Sequence, residues 1–162
     1  MDNIYVMILG RTVGKTSTLD FKFLISGSAK KLMYVQALSE DGEYALGQII
    51  EIEKDKDGAI ASCNVLGIRD KDGVLRGLRF PLEPGVEVLE AQDSTVISVL
   101  GITSGPNFAY MGKIEGREKI NVFLDINKLL SRHICIIAKS GSGKSYTVGV
   151  LLEELLEKNI PV

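Results

Sequence analysis

The sequence predicts a mainly β protein in which a small closed barrel leads into the first strand, glycine-rich loop and helix of an α/β domain. Three observations carry this reading. Short runs rich in β-branched and aromatic residues fill the first two thirds, divided by Asp-Gly pairs. After Ile114 the character changes, and an apolar run leads into a Gly/Ser-rich turn. The residues beyond that turn repeat their apolar positions at helical spacing. The expected boundaries are 1–114 for the barrel, 115–132 for a connecting segment and 133–162 for the opening of the α/β domain.

The expected strands, in order, are 4–10, 19–25, 32–38, 44–53, 60–68, 74–80, 86–89, 95–101 and 108–113. Asp41-Gly42, Asp57-Gly58 and Asp72-Gly73 follow one another at intervals of 16 and 15 residues. Asp and Gly tolerate the backbone angles of tight hairpins, so each pair predicts a turn between neighbouring strands. A meander of this regularity closes into a barrel because closure removes exposed strand edges. No long amphipathic helix is expected here. Asp55-Lys56-Asp57-Gly58 and Asp70-Lys71-Asp72-Gly73 read as turns and not as calcium loops, because neither supplies the further acidic ligands that such a loop requires.

In the second region His133-Ile134-Cys135-Ile136-Ile137 reads as a strand buried on both faces, as in a parallel sheet. A helix is expected over 146–159, with Val148, Leu151, Leu152, Leu155 and Leu156 on one face. Glu154 and Lys158 form an i, i+4 pair on the other. Pro161 stops the helix, and Ile160 and Val162 are expected to begin another strand. Strand, loop and helix make half of a βαβ unit, and a parallel strand needs neighbours on both sides. The 162 residues are therefore expected to stop at the opening of an α/β domain, before the acidic residue that would hold Mg²⁺. Alone they are expected to bind nucleotide weakly and to hydrolyse none.

Between strand and helix stands Ala138-Lys139-Ser140-Gly141-Ser142-Gly143-Lys144-Ser145. This matches the P-loop pattern except that Ala replaces the first Gly. Each residue type has a physical reason. Gly141 and Gly143 let the backbone approach phosphate oxygens. Successive N–H groups, from about Gly141 to Tyr146, form an anion-binding nest at the positive end of a helix, and Ser140 and Ser142 complete the expected nucleotide-binding loop. The Lys144 ammonium reaches the β and γ phosphates of ATP and is the expected catalytic residue; the Ser145 hydroxyl is the expected Mg²⁺ ligand. The competing reading, a Gly/Ser loop that merely caps a helix, does not explain why strand, loop and helix fall in register. Gly10-Arg11-Thr12-Val13-Gly14-Lys15-Thr16 looks similar but has three residues between its glycines where four are required, and a β-like run follows it. It is expected to be a barrel loop. Arg132 and His133 are expected to pack at the start of the strand, and Arg11, Lys15, Lys30 and Lys31 to be solvated loop charges.

Composition bounds the rest. Hydrophobic residues make up 45% and charged residues 25%, a globular composition. The net charge of −2 excludes a bulk basic balance for nucleic-acid binding. A single histidine and the wide separation of Cys63 from Cys135 exclude a Cys/His zinc site, and both thiols are expected to be buried. No basic leader and no apolar stretch of membrane length are present, so a cytoplasmic protein without membrane contact is expected.

The joining stretch Val122-Phe123-Leu124-Asp125-Ile126-Asn127-Lys128-Leu129-Leu130-Ser131-Arg132-His133, the loop Ser140 to Ser145, and Thr147-Val148 with the Leu151–Leu156 repeat resemble the HerA family of hexameric DNA-translocating ATPases. The resemblance covers about a quarter of the chain. It implies a barrel of the HAS-barrel type, a RecA/FtsK-like core, ATP and Mg²⁺ as cofactors, and a hexameric ring threaded by double-stranded DNA. It further implies docking of the nuclease NurA on the barrel and action with Mre11 and Rad50 in DNA end resection. Carried over residue by residue are only Lys144, Ser145 and the Gly141–Gly143 backbone. The alternative is a non-catalytic barrel that docks the nuclease or orders the ring. A free-standing oligonucleotide-binding barrel and a small-molecule kinase fit less well. The first lacks aromatics interleaved with basic residues, and the second has no need of the β domain.

Overall fold

The computed structural model describes residues 7–132 and 134–161. It divides into two compact units, Met1–Gly101 and Ile102–Val162.

The first unit is built on a closed antiparallel barrel of six strands. These are β1 (Ile8–Val13), β2 (Asp20–Ile25), β3 (Tyr34–Leu38), β4 (Tyr44–Asp55), β5 (Gly58–Arg69) and β7 (Glu87–Glu90). The order around the wall is β2-β1-β7-β3-β4-β5, and β2 closes the ring on β5 through the register Asp20↔Asn64 to Leu24↔Ile60. Alternation along the strands sets which side chains face inward. In β2, Phe21 and Phe23 are buried while Lys22 and Leu24 are exposed. Leu9, Phe23, Val35, Ala37, Ile49, Ala61 and Val88 are fully excluded from solvent and form the centre of the core. Where β1 crosses β2, a Cβ at Gly10 would fall on the Leu24 carbonyl oxygen, so only glycine fits there.

The three Asp-Gly turns lie where the sequence places them. Asp41-Gly42 joins β3 to β4, with Gly42 N–H donating to the Ser39 carbonyl at 3.0 Å. Asp57 precedes the Gly58 that opens β5. Asp55 Oδ1 accepts from the N–H groups of Asp57 and Gly58 at 2.8 and 3.1 Å. Asp72-Gly73 joins β5 to β6 (Leu75–Arg76). Asp70 Oδ1 accepts there from Asp72 and Val74, and Asp70 Oδ2 pairs with Arg76 at 2.7 Å. The leading carboxylate of each Asp-Lys-Asp-Gly repeat thus serves its own turn.

Several expected elements differ. Of the expected first strand, residues 4–6 lie outside the described residues, and the observed strand begins at Ile8. The expected strand over 74–80 shrinks to the two residues of β6. The expected strand over 95–101 is a helix, α1 (Asp93–Leu100). Its β-branched residues mimic a strand, but Val96 and Val99 are the buried ones, at i, i+3 spacing. Gly101, at φ 65°, ends the helix by donating back to Ile97 and Ser98. Burial of Val96 and Val99 outweighs the modest helix penalty of β-branched side chains.

The expected last barrel strand is not in the barrel wall. β8 (Phe108–Ile114) pairs with β9 (Arg117–Asp125) in a separate two-stranded sheet in the second unit. Residues 117–125, part of the expected connecting segment, form this second strand. The missed signal is Glu115-Gly116, a two-residue hairpin loop with Gly116 at φ 74°. α2 (Ile126–Leu130) follows at once, with Asp125 as N-cap accepting from the Lys128 N–H at 3.3 Å. α3 (Lys144–Glu157) completes the unit.

Candidate nucleotide-binding site

The loop before α3 is shaped by its two glycines. Gly141 has φ 78° and Gly143 φ 87°, both in the left-handed region. A Cβ at either would meet no atom within 4 Å, so the conformation, and not crowding, is what asks for glycine. The Ser142 N–H and hydroxyl both donate to the Lys139 carbonyl, at 3.2 and 2.7 Å, and close the turn. Gly143 is the N-cap, and its carbonyl accepts from Thr147 N–H at 3.0 Å to start the helix.

All the expected site residues sit on this one turn and helix start. Ser140, Gly141, Ser142, Gly143, Lys144, Ser145 and Tyr146 are exposed, and Lys144 has no carboxylate partner among the described residues. The first turn of a helix leaves its backbone N–H groups without intrahelical acceptors, and here they face solvent beside a cation. Such an arrangement can receive an anion bearing several oxygens.

What holds α3 differs from the expectation. The run Ile134 to Ala138 is not a strand, and Ile134, Ile136 and Ile137 are 50%, 37% and 89% exposed. The expected strand–loop–helix start of a RecA-like domain is thus not formed: a turn and a helix are present, the buried strand is not. A parallel strand has no hydrogen-bond partners of its own and needs flanking strands to exist. His133 lies outside the described residues. α3 is anchored from the other direction. Leu151 and Leu155 are buried against Ala109 of β8 and Ile126 of α2, with Met111, Leu129 and Ile160 around them. Glu154 does not serve an outer-face pair with Lys158. Its Oε2 accepts from the Tyr110 N–H of β8 at 2.8 Å. The helix ends at Glu157, and Asn159 in the left-handed region (φ 57°) turns the chain before Pro161. Glu154→Ala should cost about 1 kcal/mol of this packing. Hydrogen exchange at the Tyr110 amide checks it: an unchanged rate would mean that the carboxylate holds nothing.

The two cysteines also part company. Cys63 is buried, and burial pushes its thiol up to about 12 from 9.0. Cys135, expected to be buried, is exposed because its strand is not formed. Alkylation of the native chain at pH 8 should therefore modify Cys135 and spare Cys63, and mass mapping reads the difference. The buried thiol keeps a proton that an unfolded one loses, so its contribution to stability falls as pH rises from about 9 to about 12.

The decoy at 10–16 is part of the barrel. Arg11 to Val13 belong to β1 and no helix follows. The Thr12 hydroxyl donates to the Glu83 carbonyl at 2.6 Å and that of Thr16 to Leu82 at 2.7 Å. Among the described residues no group of three metal-ligating side chains converges, and no helix is long and apolar enough to cross a membrane.

Residues 109–162 match the protein family described as "Helicase HerA, central domain". The chain is 34% identical over 156 residues to a probable DNA double-strand break repair helicase HerA of Methanocaldococcus jannaschii, covering 96% of this chain and 30% of that relative. The chain belongs to the HerA helicase family. A second probable helicase of the same organism is 35% identical over 173 residues, covering 91% of this chain and 33% of the relative. The DNA double-strand break repair helicase HerA of Pyrococcus furiosus is 24% identical over 178 residues, covering 92% and 31%. The chain spans about a third of the length of these relatives. The family match begins at Ala109, inside β8, and so includes the hairpin, α2 and α3 that form one packed group here.

Proposed function

We propose that the loop from Ser140 to Tyr146 binds the phosphates of Mg²⁺·ATP, and that the chain is the N-terminal part of an ATP-dependent DNA translocase acting in double-strand-break end resection. The observation that carries the nucleotide site is the pair of left-handed glycines, Gly141 and Gly143, delivering an exposed helix start at Lys144. Lys144 supplies the charge that compensates the β and γ phosphates, Ser145 the hydroxyl for Mg²⁺, and the N–H groups up to Tyr146 the cradle. ATP, when bound with Mg²⁺, supplies the phosphoryl group whose hydrolysis drives translocation. The DNA-repair setting is supported by the names of the M. jannaschii and P. furiosus relatives.

In this reading the motor is a cytoplasmic hexameric ring around double-stranded DNA. The barrel receives a NurA-like nuclease, and the assembly acts with Mre11 and Rad50. The 162 residues alone do not hydrolyse ATP, because the segment before the loop lacks the sheet that would fix it. The second reading, a docking barrel that recruits the nuclease, is favoured by the barrel itself: the six-stranded wall is closed and its core complete. Both roles can reside in one chain. Binding of a fluorescent ATP analogue with Mg²⁺ tests the first. This chain is compared with a form extended to the length of its relatives, each as wild type and Lys144→Ala. If the extended wild type neither binds nor hydrolyses, the ATPase reading fails and docking becomes the function to pursue.

A further inference from the structure

The barrel carries a groove of about 470 Å³ between the β3–β4 turn and the segment leading into β7, lined in part by Leu38, Glu40, Tyr44, Glu83 and Leu89. Leu38 and Tyr44 are cross-strand partners, 47% and 43% exposed. Single exposed apolar residues are ordinary on a protein surface, but several converging on one concavity mark a contact site. The rim is acidic. Arg11, the cation in the groove, is already engaged: it donates to the Gly85 carbonyl at 3.2 Å and to the Glu87 carboxylate at 2.5 Å. Glu40 and Glu83 have no cationic partner among the described residues. Both line the groove, and Glu83, as a hydrogen-bonding and like-charged neighbour, raises Glu40 above the ordinary carboxylate range. Two carboxylates brought together in this way are relieved most by a cation placed between them.

We propose that this groove docks a cationic, apolar segment of a partner protein, with a Lys or Arg between Glu40 and Glu83 and aliphatic or aromatic side chains over Leu38, Tyr44 and Leu89. This rests on the docking role of the barrel, and not on the nucleotide site. Charge complementarity selects the occupant. The same carboxylates repel phosphate, so DNA is excluded from this groove. The anchor arrangement matches how interfaces concentrate their energy, with apolar contacts at the centre and charges at the rim.

The test uses the isotope-labelled 162-residue chain and three probes: a synthetic peptide alternating lysine with leucine, its counterpart with glutamate for lysine, and a short DNA duplex. The lysine peptide alone is expected to shift the amides of residues 38–44 and 83–89. Glu40→Lys with Glu83→Lys should weaken it at least tenfold, and Tyr44→Ala should weaken it at constant charge. Glu51→Lys with Glu53→Lys, exposed acids of β4 outside the groove, should leave it unchanged. Far-UV circular dichroism confirms that each variant folds. Equal weakening by the Glu51 and Glu53 changes, shifts produced by the duplex, or a groove already covered by a second copy in sedimentation overturns the proposal. Shifts confined to another barrel face overturn the groove and leave the docking role standing.

Discussion

Replacing Lys144 by alanine is expected to lower Mg²⁺·ATP affinity and turnover of the extended motor by on the order of 100-fold. The reason is electrostatic. A hydrogen bond from a charged donor to phosphate contributes about 1.5–3 kcal/mol, and each ~1.4 kcal/mol is a factor of ten. Lys144 has no competing carboxylate among the described residues, so its ammonium is available to the ligand. It is also the first residue of α3, where the helix end adds positive potential. Lys144→Arg separates charge from shape: it keeps the cation but changes its reach, and should recover only part of the binding. Ser145→Ala should reduce the dependence on Mg²⁺ more than binding of the metal-free nucleotide. Isothermal titration and a phosphate-release assay read these effects. Full activity in the alanine variant would leave the P-loop as an ordinary helix cap.

The second large effect is in the barrel. Phe23→Ala should destabilise the first unit by about 3–5 kcal/mol, the usual cost of emptying a fully buried aromatic site. Phe23 is 0% exposed and sits on β2, opposite Thr12 of β1 on one side and Ala61 of β5 on the other. It therefore fills the core where the barrel closes. The change is a large fraction of an ordinary domain's stability, and the urea midpoint should fall by more than about 1 M. A shift of a few tenths of that size would mean that the wall does not close through β2 and β5. Lys22→Ala, which faces out from the same strand, is the control and should move the midpoint little.

Much of the barrel was legible because its signals are local. Asp41-Gly42, Asp57-Gly58 and Asp72-Gly73 carry their turn preference in the backbone freedom of glycine and in the short reach of Asp55 and Asp70 to N–H groups two to four residues on. Alternation in β2 and β5 announces an inner and an outer face. The turn before α3 was legible for the same reason: Gly141 and Gly143 adopt the conformation that only glycine takes readily. The illegible parts are those in which a residue's partner is distant. Asp93–Leu100 reads as strand from its β-branched residues and becomes helix because Val96 and Val99 find burial at helical spacing. The 134–138 run reads as a buried strand, yet it has no flanking strand here and stays exposed. Glu154 reads as half of a surface pair with Lys158, yet it bonds the Tyr110 amide 44 residues away.

The sequence by itself thus determined the turns, the inward and outward faces of the strands, and the glycine-shaped loop from Ser140 to Tyr146, because each is set by residues within a few positions of one another. Only the tertiary structure decided that β2 meets β5 to close the wall, that β8 leaves the barrel for β9, and that α3 rests on that hairpin and α2. The physical reason is that strand pairing and helix burial depend on which surfaces meet, and backbone hydrogen bonds between strands carry no sequence label.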